Sequence, residues 1–274
     1  MEYINVQGEQ VPALGLGTWQ INGKECEKIV KNALDIGYRH IDTAQAYDNE
    51  EHVGKAIEES DVDREDIWLT TKIWRSNFRH GDVKRSFEES LEKLRTDYVD
   101  LLLIHWPHEE IPFRETLDAM AELVEEGKVR NIGISNFASD QIDEAQEVSD
   151  KDILTDQVEY HPFLSQEAVL EKVRSYDMML TAYSPLARGD VMGNSTIKRI
   201  ADDHNKTEAQ VALRWLIQQD NVAAIPKAAS REHQEQNFDI FDFRLSSSEM
   251  DELSSLARND RKVDPGFAPD WDRR

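Results

Sequence analysis

Val99-Asp100-Leu101-Leu102-Leu103-Ile104 is an apolar run with almost no polar alternation, the pattern of a strand covered on both faces in a parallel sheet. Runs of the same kind recur on either side of it, at Leu14–Thr18, Arg39–Asp42, Ile67–Ile73, Val129–Ile134, Asp156–Tyr160, Met179–Ser184 and Val222–Pro226. Each is followed by a longer amphipathic stretch with helical spacing. Gly127 stands where the helix ending at Glu125-Glu126 needs a terminator, and Ser165-Gln166-Glu167-Ala168 suits a capped start. Eight strand–helix units with no break in composition predict a (β/α)8 TIM barrel, one domain over residues 1–274. Tyr3–Val6 and Gln10–Leu14 around Gly8-Glu9 read as an added hairpin that plugs one end. The tail from Asp260 to Arg274 departs from the pattern. Its Pro265-Gly266, Phe267, Pro269 and Trp271 make it either a frayed terminus or a cover over a pocket.

Charge narrows the partners. With 55 acidic against 32 basic residues the chain carries a formal charge of −23, which repels phosphate backbones and anionic lipid, so neither nucleic acid nor membrane is an expected partner. The acids are spread over many helices, for example Glu58-Glu59, Glu88-Glu89 and Asp202-Asp203. Dense salt would screen the self-repulsion of such a surface, so a halophilic-like adaptation is expected. The single cysteine, Cys26, permits no intrachain disulfide and no thiolate metal cluster, and reads as a buried filler. Met1–Val6 lacks the basic start and apolar stretch of a signal peptide and no run reaches membrane-spanning length, so a cytoplasmic location is expected.

In a β/α barrel the C-terminal ends of the strands face the active site. The side chains that fall there are Asp42, Lys72, His105, Ser135 with Asn136, Gln157, Tyr183 and Lys227, and Tyr47 follows Asp42 in its loop. Lys72 lies inside Leu69-Thr70-Thr71-Lys72-Ile73-Trp74, where a charge is costly without a partner; Asp42 on the neighbouring strand is the natural one. A buried lysine beside Tyr47 is expected to stabilise the phenolate and lower the tyrosine pKa, which would suit Tyr47 to give a proton to an alkoxide. The histidines allow a second reading. His105 and His108, with Asp42 and His161, are the residue types of a metal-dependent hydrolase, although Lys72 aimed at the same centre would repel a divalent ion.

Ile41-Asp42-Thr43-Ala44 with Tyr47, Thr71-Lys72-Ile73-Trp74, Leu103-Ile104-His105-Trp106-Pro107, Gly133-Ile134-Ser135-Asn136-Phe137, Gln157-Val158-Glu159-Tyr160-His161-Pro162 and Ile225-Pro226-Lys227 occur in order from about Val11 to Leu245. Together they resemble the aldo-keto reductase superfamily, in its compact prokaryotic form similar to diketogluconate and methylglyoxal reductases. The resemblance implies an NADPH-dependent reductase of small aldehydes and ketones. Tyr47 would be the general acid, Lys72 its neighbour, Asp42 the carboxylate pairing with Lys72, and His105 the group that orients the carbonyl. It also implies that Ser135, Asn136 and Gln157 hold the nicotinamide carboxamide, that Tyr183 stacks on the ring, and that Ser184 and Leu186 follow the pyrophosphate. Lys227, Ser230 and His233 would meet the 2′-phosphate, and Gln236 and Asn237 the adenine edge. Trp19, Trp74, Trp106 and Trp271 would form the substrate pocket. The chain departs from NADPH-preferring relatives at Ala228, where serine is usual, and at His233, where arginine is usual. A histidine holds its charge only in part near neutral pH, so NADH use remains open. Arg231 stands where relatives often have proline. Gly15 and Gly17 make no dinucleotide fingerprint, because a third glycine is absent and they stand in the first barrel strand. Members of the superfamily also serve as cofactor-binding sensors with little turnover, the alternative from another class, and the family-level expectation for assembly is a monomer.

Overall fold

The computed structural model describes residues 1–272; Arg273 and Arg274, the end of the expected domain, lie outside the described residues. A two-stranded antiparallel hairpin, β1 (Tyr3–Val6) and β2 (Glu9–Pro12), comes first, its turn made by Gln7 and Gly8, both at positive φ. Eight parallel strands follow: β3 (Leu16–Gly17), β4 (His40–Asp42), β5 (Trp68–Ile73), β6 (Val99–Ile104), β7 (Val129–Ser135), β8 (Ile153–Glu159), β9 (Met179–Tyr183) and β10 (Val222–Ala224). Between and after them run the helices α1 (Gly23–Ile36), α2 (Glu50–Glu58), α3 (His80–Leu94), α4 (Phe113–Glu125), α5 (Ser139–Val148), α6 (Glu167–Ser175), α7 (Ser195–His204), α8 (Glu208–Ile217), α9 (Arg231–Phe238) and α10 (Ser247–Ser254). No helix among the described residues is long and apolar enough to cross a membrane.

The strands stand in sequence order, and the ends of the sheet meet. Ala224 N donates to Ala13 O at 2.9 Å, Gly15 N to Ala224 O at 2.9 Å and Gly17 N to Pro226 O at 3.1 Å, which closes the barrel. The glycine at position 17 is required by that closure, since a Cβ there would lie 2.7 Å from Ile225 O. Glu2 pairs with the buried Arg214 at 2.8 Å, and Gln7 Nε2 donates to Ile153 O at the start of β8. These contacts hold the hairpin across the N-terminal mouth of the barrel, opposite the chemistry.

Every residue of β6 is buried, as its lack of alternation predicts. The one acid in it, Asp100, is fully partnered: Leu69 N donates to Oδ2 at 3.0 Å, and Arg64 and Arg130 each pair with the carboxylate at 2.9 Å. Strand parity then decides what faces the barrel axis. In β5, Lys72 points inward while Thr71 points outward and donates to Glu50 Oε1 at 2.6 Å. In β8, Thr155 and Gln157 point inward and Asp156 outward.

Asp156 is a buried acid with little support. Phe137 N reaches its Oδ1 only at 3.5 Å and Oδ2 has no partner, so burial pushes the carboxyl well above the usual carboxylate range. The folded chain therefore holds this proton more tightly than the unfolded chain does, and stability falls as pH rises from the ordinary carboxyl range towards the folded value. Asp156→Asn is expected to raise stability at neutral pH by about 1–3 kcal/mol, because the amide is neutral without taking up the proton that the buried acid needs. Melting curves from pH 4 to 8 check this: the gain must grow with pH, and a gain independent of pH is the wrong result.

Candidate active site

At the C-terminal ends of the strands lies a cavity of about 940 Å³, near the top of the range of about 300–1,000 Å³ for small-molecule sites. Asp42, Tyr47 and His105 are in its wall, and Lys72 sits directly behind, with no exposed surface. Lys72 Nζ donates to Asp42 Oδ1 at 2.5 Å and to Thr43 O at 2.8 Å. The other oxygen of Asp42 accepts from Gln157 Nε2 at 2.7 Å, so the carboxylate is held from two sides of the barrel. Lys72 Nζ is 5.1 Å from the centre of the Tyr47 ring, and the His105 ring meets the Tyr47 ring edge-on at 5.6 Å.

The protonation of these groups corrects one expectation. Burial drives the Tyr47 phenol well above its ordinary pKa, with the Asp42 carboxylate and the Tyr183 ring adding to the effect. Lys72 does not pull it down, because its charge is already matched by Asp42 and burial lowers its own pKa. His105 is pushed well below the usual imidazole range by burial, and Lys72 pushes it further. The site therefore presents a protonated phenol beside a neutral imidazole whose buried Nδ1 has no partner.

Support for this group comes from residues that motif reading passes over. Glu50, buried behind Lys72, accepts from Thr71 Oγ1 and from Ser90 Oγ. Gln45 accepts from Trp74 N at 2.9 Å and from Asn77 Nδ2 at 3.1 Å, which fixes the loop that carries Trp74. The sequence signal for either is slight, a polar residue two or three positions from Tyr47.

The cofactor candidates divide into two sets. Ser135, Asn136, Gln157, Tyr183, Ser184, Leu186 and Lys227 all line the cavity. Asn136 takes a left-handed conformation at φ 64°, Tyr183 Oη donates to its Oδ1 at 2.7 Å, and its Nδ2 donates to His105 O at 3.0 Å. Ser230, His233, Gln236 and Asn237 lie beyond the rim at Lys227 and outside the cavity wall. Ser230 caps α9 by accepting from His233 N at 3.1 Å, His233 is exposed and Asn237 is buried. Amides and hydroxyls on the floor, an aromatic face and an exposed lysine at the far rim fit a nicotinamide dinucleotide laid along this cavity.

Trp19, Trp74 and Trp106 line the same cavity, Trp19 at its open side with the Arg188 guanidinium 5.3 Å from its ring. Trp271 does not. It packs against the ring of Trp106 at 6.1 Å and under Arg261 at 3.7 Å, and donates from Nε1 to Asp264 Oδ1, so the polar end of the indole is turned to its own tail. The tail's part of the cavity wall comes from Lys262, Val263, Asp264 and Pro265, while Phe267 packs edge-on to Trp74 at 6.0 Å and to Trp106 at 5.5 Å. The tail is thus a cover. The histidines disperse, His161 to Glu159 and His108 to the Phe78 ring, and no cluster of three metal-ligating side chains forms among the described residues. Cys26 is buried, its thiol pushed up to about 12 by desolvation.

Comparison with known proteins agrees with this geometry. The chain is 42% identical over 266 residues to methylglyoxal reductase DkgB of Escherichia coli O157:H7, covering 96% of this chain and 99% of that protein. It is 40% identical over 255 residues to the glyoxal reductase of Bacillus subtilis strain 168, covering 93% and 92%. Among solved structures, a crystal structure assigned provisionally as a 2,5-diketo-D-gluconic acid reductase B superposes with a TM-score of 0.98 at 48% identity, covering 100% of this chain and 98% of that one. Residues 13–258 match the model of the aldo/keto reductase family, and the chain belongs to that family of oxidoreductases.

Proposed function

We propose that this enzyme reduces the carbonyl group of small aldehydes and ketones to an alcohol, with Tyr47 as the proton donor. The observation that carries the reading is the Lys72–Asp42 pair, held at 2.5 Å with no exposure of the lysine, behind the Tyr47 ring. An ion pair at that depth contributes little to stability against apolar packing, and perturbed groups of this kind cluster where chemistry is done. NADPH, when bound, supplies the hydride. His105, kept neutral, hydrogen-bonds the carbonyl oxygen and orients it, which leaves the protonated Tyr47 as the proton source for the alkoxide. Asp42 and Gln157 keep Lys72 and the phenol in register.

Ser135, Asn136 and Gln157 would hold the carboxamide and Tyr183 the ring, with Ser184 and Leu186 along the pyrophosphate. Lys227 at the rim would take the 2′-phosphate, with Ser230 and His233 beyond it and Gln236 and Asn237 at the adenine; the exposed lysine supports NADPH over NADH. Trp19, Trp74 and Trp106 would enclose an apolar substrate. The relatives that reduce glyoxal and methylglyoxal make small 2-oxoaldehydes the first substrates to try. The same reading takes the hairpin, barrel and tail as one catalytic unit. It works as a cytoplasmic monomer and tolerates molar salt, as the net charge of −23 suggests.

The test is the loss of NADPH absorbance, and separately NADH absorbance, with a panel of small aldehydes and ketones at low and at molar KCl. Faster turnover with NADPH, retained in molar KCl, is the expected result. Binding of both cofactors without turnover of any carbonyl would overturn the reading.

A further inference from the structure

The buried carboxylate of Glu159 takes no part in the chemistry above. It ends β8 two residues after Gln157, on the same inward face, and has no exposed surface. Three donors converge on it: Lys262 N to Oε1 at 2.7 Å, Val263 N to Oε2 at 2.8 Å, and His161 Nε2 to Oε1 at 2.9 Å. His161 Nδ1 accepts from Phe163 N at 3.3 Å, so Nε2 carries the proton that it donates to Glu159. Two of the three donors are main-chain groups of the C-terminal tail, and a fully buried carboxylate that accepts backbone N–H groups makes strong, charge-assisted bonds.

From Val263 onward the tail forms the substrate side of the cavity. Val263, Asp264 and Pro265 are in its wall, and Phe267 is wedged against Trp74 and Trp106 with the Arg75 guanidinium 4.4 Å from its ring. The far end of the segment is held by Asp272, which accepts from Ser139 N at 3.0 Å and from Ser139 Oγ at 2.6 Å. The tail is therefore a strap held along its length: Arg258 N and Asp260 N donate to Phe163 O at 3.1 Å, Glu159 takes the main chain of Lys262 and Val263 in a buried, charge-assisted grip, Lys262 Nζ pairs with Asp190 at the surface at 2.6 Å, and Asp272 holds the exposed far end.

We propose that Glu159 is a positioning residue: by gripping the main chain at Lys262 and Val263 it sets the height of the strap over the cavity, and thereby the size of carbonyl substrate that the enzyme favours. One strand then carries both functions, the amide of Gln157 on Asp42 and the carboxylate of Glu159 on the strap. The proposal rests on the cavity being the carbonyl site.

Glu159→Gln tests it, because an amide NH2 facing a main-chain N–H replaces an acceptor with a donor. In the full-length variant the amides of Lys262 and Val263 are expected to exchange with solvent about a hundredfold faster, as local opening becomes easier. The preference for methylglyoxal over a bulky aromatic aldehyde, compared as kcat/KM, is expected to fall about tenfold, mainly through KM, with kcat for methylglyoxal within about threefold and the affinity for NADPH unchanged. Glu159→Asp keeps the charge but draws the carboxylate back by one methylene, and the same changes are expected in smaller measure, so a misfolded Glu159→Gln variant does not end the test. Faster exchange with an unaltered preference, or unaltered exchange, in the folded variant would overturn the proposal. Failure of the carbonyl-reductase reading is a separate result: the unmodified enzyme would then turn over no aldehyde, whatever the strap does.

Discussion

Tyr47→Phe is expected to cut the rate of carbonyl reduction by about 100- to 10,000-fold, the range for loss of a positioned proton donor. Affinity for NADPH should stay the same, because the ring remains and only the hydroxyl is lost. The protonation of the site makes the expectation specific. His105 is neutral over the working range, so the one N–H it keeps can donate a hydrogen bond but is too weak an acid to replace the phenol, and Lys72 is spent on Asp42 and Thr43 O. Since burial drives the Tyr47 pKa upward, the donor stays protonated through neutral pH and into the alkaline range. The reduction rate of the unmodified enzyme should therefore be flat through neutral pH and decline only in alkali. Single-turnover mixing of enzyme, NADPH and methylglyoxal over a range of pH measures both. Near-normal turnover by the phenylalanine variant would remove Tyr47 from the mechanism.

Lys72→Met should damage stability as much as activity. It leaves the Asp42 carboxylate buried, with Gln157 as its remaining side-chain donor, and breaking a buried pair from one side costs about 3–5 kcal/mol. Adding Asp42→Asn removes the stranded charge, so the double variant should recover most of the lost stability while remaining inactive. Denaturant titration of the two single variants and the double gives the coupling directly. Additive losses in the double variant would mean that the two groups do not depend on each other for burial.

Much of this was readable in the chain itself. The eight strands fall where the apolar runs stand, and Asp42, Tyr47, Lys72 and His105 meet because each lies at or just after the C-terminal end of a strand whose parity is set by its neighbours. Ser135, Asn136, Gln157, Tyr183 and Lys227 come to the cavity for the same reason. The expectation of a lowered Tyr47 pKa did not survive: proximity to a lysine was legible, whereas the prior claim of Asp42 on that lysine, and the degree of burial of the phenol, were not. Trp271 lies against Trp106 with its Nε1 on Asp264 and outside the cavity wall, an arrangement that its position in a proline-rich tail does not show.

Strand positions, inward parity and the side chains that stand at the strand ends are local properties, carried by periods of a few residues, and the sequence determines them alone. Only the folded chain decides that Ala13 and Gly15 close onto Ala224, that Glu50 stands behind Lys72, and that Glu159 grips the main chain at Lys262 and Val263. The partners in two of these contacts lie 100 residues or more apart in sequence. All depend on the surroundings of a charge or a backbone group once water has been excluded, and no stretch of sequence contains the neighbours that set that cost.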